Sequence, residues 1–154
     1  MAVYVVDSSA LVKRYVRERG STWMRALTDP ATGHRVYIAG ITGVEVVSAL
    51  TRQTRGSALA PADAAQALTQ FRHDLAHQYQ VVDLVPLLVA QAMTLAETYA
   101  LRGYDAVQCA VAVALHQARQ AHAMPPLTLV SADTALNTAA TAEGLQVADP
   151  NAYP

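Results

Sequence analysis

The sequence is short of the residues that define several large protein classes. It contains a single cysteine among 154 residues, so no disulfide can form within the chain, and a reducing compartment is expected. Charged residues make up 15% of it, against a usual share of about 25%. Hydrophobic residues make up 53%, which excludes a disordered chain and leaves apolar surface for a partner.

Signals for export and for membrane insertion are also missing. The amino terminus, MAVYVVD, lacks the basic region and the apolar stretch of a signal peptide. No run approaches the roughly 18 apolar residues of a membrane span. We therefore expect a cytoplasmic protein with no membrane association. At this length we expect one domain over residues 1–154.

Common catalytic and nucleotide-binding fingerprints do not occur. There is no G-x-x-x-x-G-K-[ST], G-x-G-x-x-G or G-x-S-x-G segment, which removes P-loop, dinucleotide-binding and serine-hydrolase interpretations. Ser9 stands where a phosphatase with an aspartyl nucleophile would carry its second acid. His73 and His77 have the spacing of a metal pair, but no third ligand is evident, so a surface pair is the better interpretation.

The net charge of −1 disfavours a protein that binds nucleic acid through a broad positive field. The charge is unevenly distributed, however. Residues 1–77 carry nine Lys or Arg against six Asp or Glu, whereas residues 78–154 carry two against six. We expect any polyanion to contact the first half of the chain.

Short β-branched runs alternate with segments of helical periodicity from end to end. Strands are predicted at residues 3–6, 35–39, 80–84 and 127–130, with a further candidate at 145–148. Helices are predicted at residues 9–19, 21–27, 43–55, 62–79, 86–101, 105–121 and 134–143. The alternation predicts an α/β domain with a mostly parallel sheet of four to five strands and helices on both faces.

Four acidic residues hold equivalent places in this layout. Asp7 follows strand one, and Asp133 follows strand four. Glu45 lies in the first turn of the helix after strand two, and Asp105 opens the helix that leads into strand four. Because the carboxyl ends of parallel strands share one edge of the sheet, where ligands bind, the topology would bring these carboxylates together.

Each acid also has a structural explanation. Asp7 and Asp133 are good helix N-caps, and Asp105 in a first turn complements the helix dipole. Glu45 completes a T-x-x-E capping box with Thr42. Capping does not explain why every helix start that faces one edge carries an acid in a chain poor in charge. Clustered carboxylates repel and raise one another's pKa values, and Mg²⁺ or Mn²⁺ would relieve that repulsion.

Each of the four acids lies in a longer segment: YVVDSSALVKRY at 4–15, ITGVEVVSAL at 41–50, LRGYDAVQCAVA at 101–112 and LVSADTALNTAA at 129–140. In order and spacing these segments resemble the motifs of PIN domains of the kind found in VapC-type toxins of toxin–antitoxin pairs. Each is weakly specific by itself, but the ordered set spans essentially the whole chain. The resemblance implies a PIN-like α/β domain and a metal-dependent endoribonuclease that uses Mg²⁺ or Mn²⁺ to hydrolyse RNA phosphodiester bonds.

The resemblance also implies roles for individual residues. The family's catalytic, metal-binding acids fall on Asp7, Glu45, Asp105 and Asp133. Of these, Asp7 and Asp105 would be the principal ligands, and the other two would act largely through water. Ser8, Ser131 and Asn137 would orient that water.

The third segment departs from the family pattern at Gln108 and Cys109. We expect these two residues to point into their helix and away from the metal. We also expect Tyr104 to be packed, with stacking on a base as the alternative.

Basic side chains close to the acids in sequence are candidates for contacts with RNA phosphates. They are Lys13, Arg14, Arg17, Arg52 and Arg102. A solvated helix face explains those near residue 15 equally well, and Arg102 alternatively pairs with Asp105.

The resemblance further implies a homodimer and a small antitoxin protein whose C-terminal tail covers the active site. Two other functions stay open. One is a housekeeping PIN-type RNA-processing nuclease, and the other is a PIN-like binding module without activity.

Overall fold

The computed structural model describes all 154 residues, and its centre is one five-stranded sheet. The strands are β1 (Val3–Val6), β2 (Arg35–Ala39), β3 (Gln80–Val82), β4 (Thr128–Val130) and β5 (Gln146–Ala148). Their order is β3-β2-β1-β4-β5, and every neighbouring pair is parallel. The predicted α/β architecture is confirmed, and the fifth strand is formed.

Seven α-helices connect these strands. They are α1 (Ser8–Leu11), α2 (Ser21–Leu27), α3 (Thr42–Arg55), α4 (Pro61–His77), α5 (Pro86–Tyr99), α6 (Gly103–Ala121) and α7 (Thr134–Ala142). Most predicted helices differ from these by one or two residues at either end. None of the seven is long and apolar enough to cross a membrane.

The helix predicted over residues 9–19 is wrong in length. The α-helix ends at Leu11, and a 3-10 turn follows over Val12–Arg14. In a longer helix, the next carbonyl groups would accept from the backbone. Here a side chain donates instead, since the hydroxyl of Ser21 donates to the carbonyl oxygen of Val16 at 2.8 Å. The segment closes at Gly20, where φ is +84° and an added Cβ would lie 2.4 Å from a backbone oxygen.

Helices cover both faces of the sheet, so strand side chains alternate between two cores. Val5 and Leu129 belong to the core formed with α5, α6 and α7, whereas Val6 and Val130 belong to the core formed with α1 to α4. All four side chains are fully buried. Burial of each stabilises the fold by about 1.5–3 kcal/mol. Cys109 lies in the first core, as expected.

The strand order places a crossover point in the middle of the sheet. The chain builds β1, β2 and β3 toward one side and then adds β4 on the opposite side of β1. In open parallel sheets, ligands bind at the carboxyl ends of the strands beside such a point. Asp7 stands there, because its backbone N–H continues the β1–β4 pairing to the carbonyl oxygen of Val130 at 3.0 Å.

Candidate active site

A cavity of about 430 Å³ opens at this edge of the sheet. Its lining includes the four acids that the sequence singles out: Asp7, Glu45, Asp105 and Asp133. They come from the end of β1, the first turns of α3 and α6, and the start of α7. We call this space the acidic cavity. The parallel topology therefore brings together residues that lie up to 126 positions apart in the chain.

Asp7 is the most deeply held of the four, with 2% of its surface exposed. It caps α1 by accepting from the backbone N–H of Ser9, and the hydroxyl of Ser9 donates to its Oδ2 at 2.5 Å. The hydroxyl of Ser131 donates to the same oxygen at 3.1 Å, and that of Ser8 donates to Oδ1 at 3.4 Å. These donors fix the orientation of the Asp7 carboxylate.

Glu45 is not part of a capping box. Helix α3 begins at Thr42 itself, and no side-chain hydrogen bond caps it. The amide of Gln108 instead donates from Nε2 to Glu45 Oε1 at 2.8 Å and to Thr42 Oγ1 at 2.9 Å. The expectation that Gln108 points away from the site is therefore wrong. The capping explanation does not account for the acid at position 45.

Asp105 and Asp133 share one cation. The guanidinium of Arg102 donates from Nε to Asp105 Oδ2 and from Nη2 to Asp133 Oδ2, both at 3.1 Å. Arg102 itself is highly exposed, so this arrangement is open to solvent. Asp133 also caps α7 by accepting from the backbone N–H of Leu136 at 2.8 Å, and Asp105 lies in the first turn of α6.

The pKa values show that these carboxyl groups affect one another. Burial raises the pKa of Glu45, the hydrogen bond from Gln108 opposes that rise, and the charges of Asp7 and Asp105 add to it. Burial also raises the pKa of Asp105, with the charge of Asp133 adding to the rise and Arg102 opposing it. The cavity thus holds carboxylates whose mutual repulsion is only partly offset by the protein.

The donor set fits a hard divalent cation, although the side chains are not arranged around one. No three His, Cys, Asp or Glu side chains converge closely enough to hold an ion as they stand. Arg102 spans Asp105 and Asp133, and Gln108 holds Glu45. Oxygen ligands from carboxylates are what Mg²⁺ and Mn²⁺ prefer, and Mg²⁺ keeps several waters, so few direct protein ligands are needed.

The residues predicted to orient water have different positions. Ser8 lines the cavity, whereas Ser131 is fully buried and reaches it only through Asp7. Asn137 does not line the cavity, because its Nδ2 donates to the carbonyl oxygen of Ser131 at 2.8 Å and holds the β4–α7 turn.

The basic candidates divide into internal and exposed side chains. Lys13 is buried, and its ammonium donates to Glu18 and to the carbonyl oxygen of Arg19. Arg14 is also enclosed, because its Nε donates to Asp74 at 2.9 Å. Both side chains are paired within the protein, and neither lines the acidic cavity. The exposed ones are Arg17, Arg52 and Arg102, and the latter two line the acidic cavity.

Arg14 belongs to a second polar cluster inside the core of α1 to α4. Its centre is Asp74, which is 3% exposed and accepts from Arg14, from the hydroxyl of Tyr15 at 2.7 Å and from the amide of Gln70 at 2.8 Å. The hydroxyl of Tyr79 lies 2.5 Å from that of Tyr15. We call these five residues the Asp74 network.

Two residues at the site were missed in the sequence. Ser9 contributes a hydroxyl to Asp7 and accepts from the backbone N–H of Ala132 at 3.0 Å, which ties the two loops of the site together. Gln108 is a lone amide in the apolar part of α6. A polar side chain at a helical position that periodicity assigns to the core was the available signal. Tyr104 differs from expectation because it is 61% exposed at the rim of the cavity.

Comparison with known proteins agrees with this architecture. A sequence model described as the PIN domain matches residues 4–141. No curated protein sequence is a significant match. A crystal structure of PAE2754 from Pyrobaculum aerophilum has a TM-score of 0.64 and 20% sequence identity, and the alignment covers 98% of this chain and 91% of that one.

Two further solved structures are similar. VapBC2 from Rickettsia felis, solved with a DNA fragment from its promoter, has a TM-score of 0.61 and 14% identity, with 96% and 98% of the two chains covered. A toxin–antitoxin complex from Klebsiella pneumoniae has a TM-score of 0.54 and 19% identity, with 87% and 88% covered. At these identities the likeness shows a shared fold.

Proposed function

The chain belongs to the PIN-domain family, whose members are generally nucleases, and we propose that it is a divalent-metal-dependent endoribonuclease. The observation that carries the proposal is the convergence of four carboxylates, from four separate elements, on one solvent-accessible cavity. A binding module without activity would have no need to keep four mutually repelling acids there. A cation bound among them would neutralise charge at a phosphodiester and activate the attacking water.

Asp7 and Asp105 are the proposed principal ligands, and Glu45 and Asp133 act largely through water around the ion. The hydroxyl groups of Ser9 and Ser131 hold the Asp7 carboxylate in place. A carboxylate that is not used as a ligand is able to accept the proton of the attacking water. Mg²⁺ is the proposed physiological ion and Mn²⁺ its substitute.

The rim of the acidic cavity supports RNA as the substrate. Arg52 and Arg102 line the cavity and present exposed guanidinium groups beside the acids, where phosphate oxygens of a bound strand would lie. Arg17 is a further exposed cation on the segment after α1. Tyr104 offers an exposed ring on which a base can stack.

We further propose that the protein is the toxin of a type II toxin–antitoxin pair and acts as a homodimer in the cytoplasm. The support is the fold shared with solved toxin–antitoxin complexes. An exposed apolar pair suited to a partner is also present, since Val89 and Met93, one turn apart on α5, are 42% and 69% exposed. The antitoxin would be a small protein whose tail covers the acidic cavity.

The activity is tested with purified protein and a structured RNA, with and without Mg²⁺. We expect cleavage that EDTA stops and that Asp7→Asn abolishes. Because Asp7 also caps α1, Glu45→Gln is the second variant, and its folding is checked by circular dichroism. Cleavage at the parental rate by both folded variants would contradict the assignment of the site.

The toxin role is tested by induced expression of the parent and of Asp7→Asn in the same host. We expect growth arrest with the parent alone, and mapping of RNA 5′ ends across the transcriptome shortly after induction should find cleavage sites absent from the variant. New 5′ ends without growth arrest would favour the housekeeping nuclease. An unchanged set of 5′ ends together with normal growth would contradict the toxin role.

A further inference from the structure

Gln108 is a buried amide at the back of the acidic cavity. It lies in the second turn of α6 with none of its surface exposed, among alanine, valine and cysteine side chains of the same helix. Its Nε2 donates to Glu45 Oε1 at 2.8 Å and to Thr42 Oγ1 at 2.9 Å. The residue thus connects the second turn of α6 to the first turn of α3, and its partner Glu45 is 63 positions away in sequence.

Chemistry determines which way this amide points. A carboxylate accepts hydrogen bonds and does not donate them, so the NH₂ group must face Glu45 and the carbonyl oxygen must face away. That carbonyl oxygen, Gln108 Oε1, is buried without any hydrogen-bond partner. A buried acceptor left without a partner destabilises the folded state.

A residue chosen only for core packing would not be an amide. Methionine has a similar length and volume, fills an apolar gap without polar atoms and would leave no acceptor without a partner. The carbonyl oxygen of the amide therefore lowers the stability of the fold, whereas its NH₂ group makes hydrogen bonds to Glu45 and Thr42. Buried polar groups of this kind are retained where they orient a functional side chain.

We propose that Gln108 is a positioning residue that holds the Glu45 carboxylate toward the ion site of the acidic cavity. Its hydrogen bond engages Oε1, which leaves the second carboxylate oxygen of Glu45 for a ligand in the cavity. The inference rests on the proposed function for the identity of that ligand, but the hydrogen bond that positions Glu45 is formed within the chain itself. Without the amide, the Glu45 side chain would be free to change rotamer.

The alternative is that Gln108 only joins two helices through Thr42. The two roles predict different results for Gln108→Met. A positioning role predicts weaker metal binding by the folded protein whatever the change in its melting temperature in EDTA, because the substitution removes one unpartnered acceptor but also takes the donor from Glu45 and Thr42. A joining role predicts a lower melting temperature in EDTA and parental metal affinity in the folded fraction.

The experiment compares the parent, Gln108→Met, Thr42→Val and Cys109→Ala as purified full-length chains. Cys109→Ala is the matched control, since its side chain is the neighbouring one on α6 and is buried to the same extent. Mn²⁺ is titrated by calorimetry without RNA, melting temperatures are measured in EDTA, and kcat and KM are measured on structured RNA with Mg²⁺.

We expect the Mn²⁺ dissociation constant to rise about tenfold in Gln108→Met, within the range for groups that orient metal ligands. Thr42→Val should change it less, and Cys109→Ala should leave it unchanged while lowering the melting temperature. In Gln108→Met, kcat should fall while KM changes little.

The outcomes separate this inference from the proposed activity. A tenfold loss of Mn²⁺ affinity supports the positioning role even if the parent cuts no RNA, a result that would overturn only the nuclease activity. Parental Mn²⁺ affinity in Gln108→Met overturns the positioning role even if the parent is an active nuclease. A parent that binds no Mn²⁺ at all overturns both.

Discussion

The acidic cavity holds four acidic side chains and the Asp74 network holds one, in a chain with few charges, and the surroundings of these acids differ. Asp74 is enclosed and accepts from an arginine, a tyrosine and a glutamine at distances between 2.7 and 2.9 Å. In the cavity, one exposed arginine is shared between Asp105 and Asp133, and Glu45 has a single amide donor. Asp74 is therefore fully paired by the protein, as is Asp7 by its serine neighbours, whereas Asp105, Asp133 and Glu45 are paired only in part.

This difference separates structural from functional charge. A buried acid with all of its hydrogen bonds made contributes to the fold and offers nothing to a ligand. Acids that repel one another in a solvent-accessible cavity oppose folding, and the cation proposed above would relieve that repulsion. Four predictions, ordered from the largest effect to the smallest, test this contrast.

The largest effect is expected from Asp74→Ala. Removal of this carboxylate leaves the guanidinium of Arg14 enclosed without its ionic partner, which costs about 3–5 kcal/mol of unfolding free energy. Urea unfolding followed by circular dichroism measures it. Asp63→Ala, an exposed acid on the same helix, is the control and should change stability by less than about 0.5 kcal/mol. Equal losses of unfolding free energy in Asp74→Ala and Asp63→Ala would contradict a structural role for Asp74.

Asp105→Asn should have the opposite effect, a large loss of activity without a loss of stability. We expect cleavage of RNA to fall by more than about 100-fold, beyond what loss of a group behind the metal ligands costs. The melting temperature in EDTA should not fall. The pKa of Asp105 is raised in the folded state, so its ionised form opposes folding at neutral pH and a neutral amide removes that effect. Asp83→Asn, at an exposed acid directly after β3, is the control. A large loss of stability in Asp105→Asn would mean that Asp105, like Asp74, has a structural role.

Mg²⁺ should stabilise the parent but not Asp105→Asn. At a free concentration 100 times the dissociation constant, a ligand that binds only the folded state adds about 2.7 kcal/mol. Thermal melting in excess Mg²⁺ and in EDTA measures the difference for each chain. Asp63→Ala should retain the parental shift. The same shift in Asp105→Asn would mean that the ion binds elsewhere.

The smallest effect is the alkaline response of the Asp74 network. Burial raises the pKa of Tyr79 to about 12, and burial together with Tyr79 also raises the pKa of Tyr15. The folded state thus holds these protons more tightly than the unfolded chain, whose tyrosines ionise near pH 10. Their contribution to stability should be complete below about pH 10 and decline as pH rises toward 12.

Urea unfolding between pH 8 and pH 11.5 measures that decline. Tyr79→Phe removes one of the two hydroxyl groups and should reduce the dependence on pH over the same interval. A parental slope in Tyr79→Phe would show that other groups cause the alkaline loss.

The strands and the convergence of the acids were predictable because both depend on local patterns. Period-two and period-3.6 hydrophobicity marks each element by itself. Once strands and helices alternate, right-handed parallel connections leave few topologies, and all of them place the residues after β1 and β4 at one edge. Asp7 and Asp133 could therefore be placed together without any knowledge of their contacts.

The roles of the basic side chains were not predictable in this way. Lys13 and Arg14 follow the first acid in sequence and resemble a basic flank. The early end of α1 turns them inward, where Glu18 and Asp74 pair with them. Their enclosure depends on how the 3-10 turn packs against α2 and α3 and on the contact of Arg14 with Asp74 of α4, and the sequence near residue 13 carries no signal for that.

By itself the sequence determined the alternation of elements, the parallel sheet and the four acids at its carboxyl edge, because hydrophobic periodicity and connection handedness act along the chain. Only the tertiary structure decided which charges are paired internally and which amide holds Glu45. The deciding contacts join residues 60, 63 and 124 positions apart, in the pairs Arg14–Asp74, Gln108–Glu45 and Ser131–Asp7. Such contacts form only when distant elements pack against each other, and no local sequence pattern predicts which side chains will then be in contact.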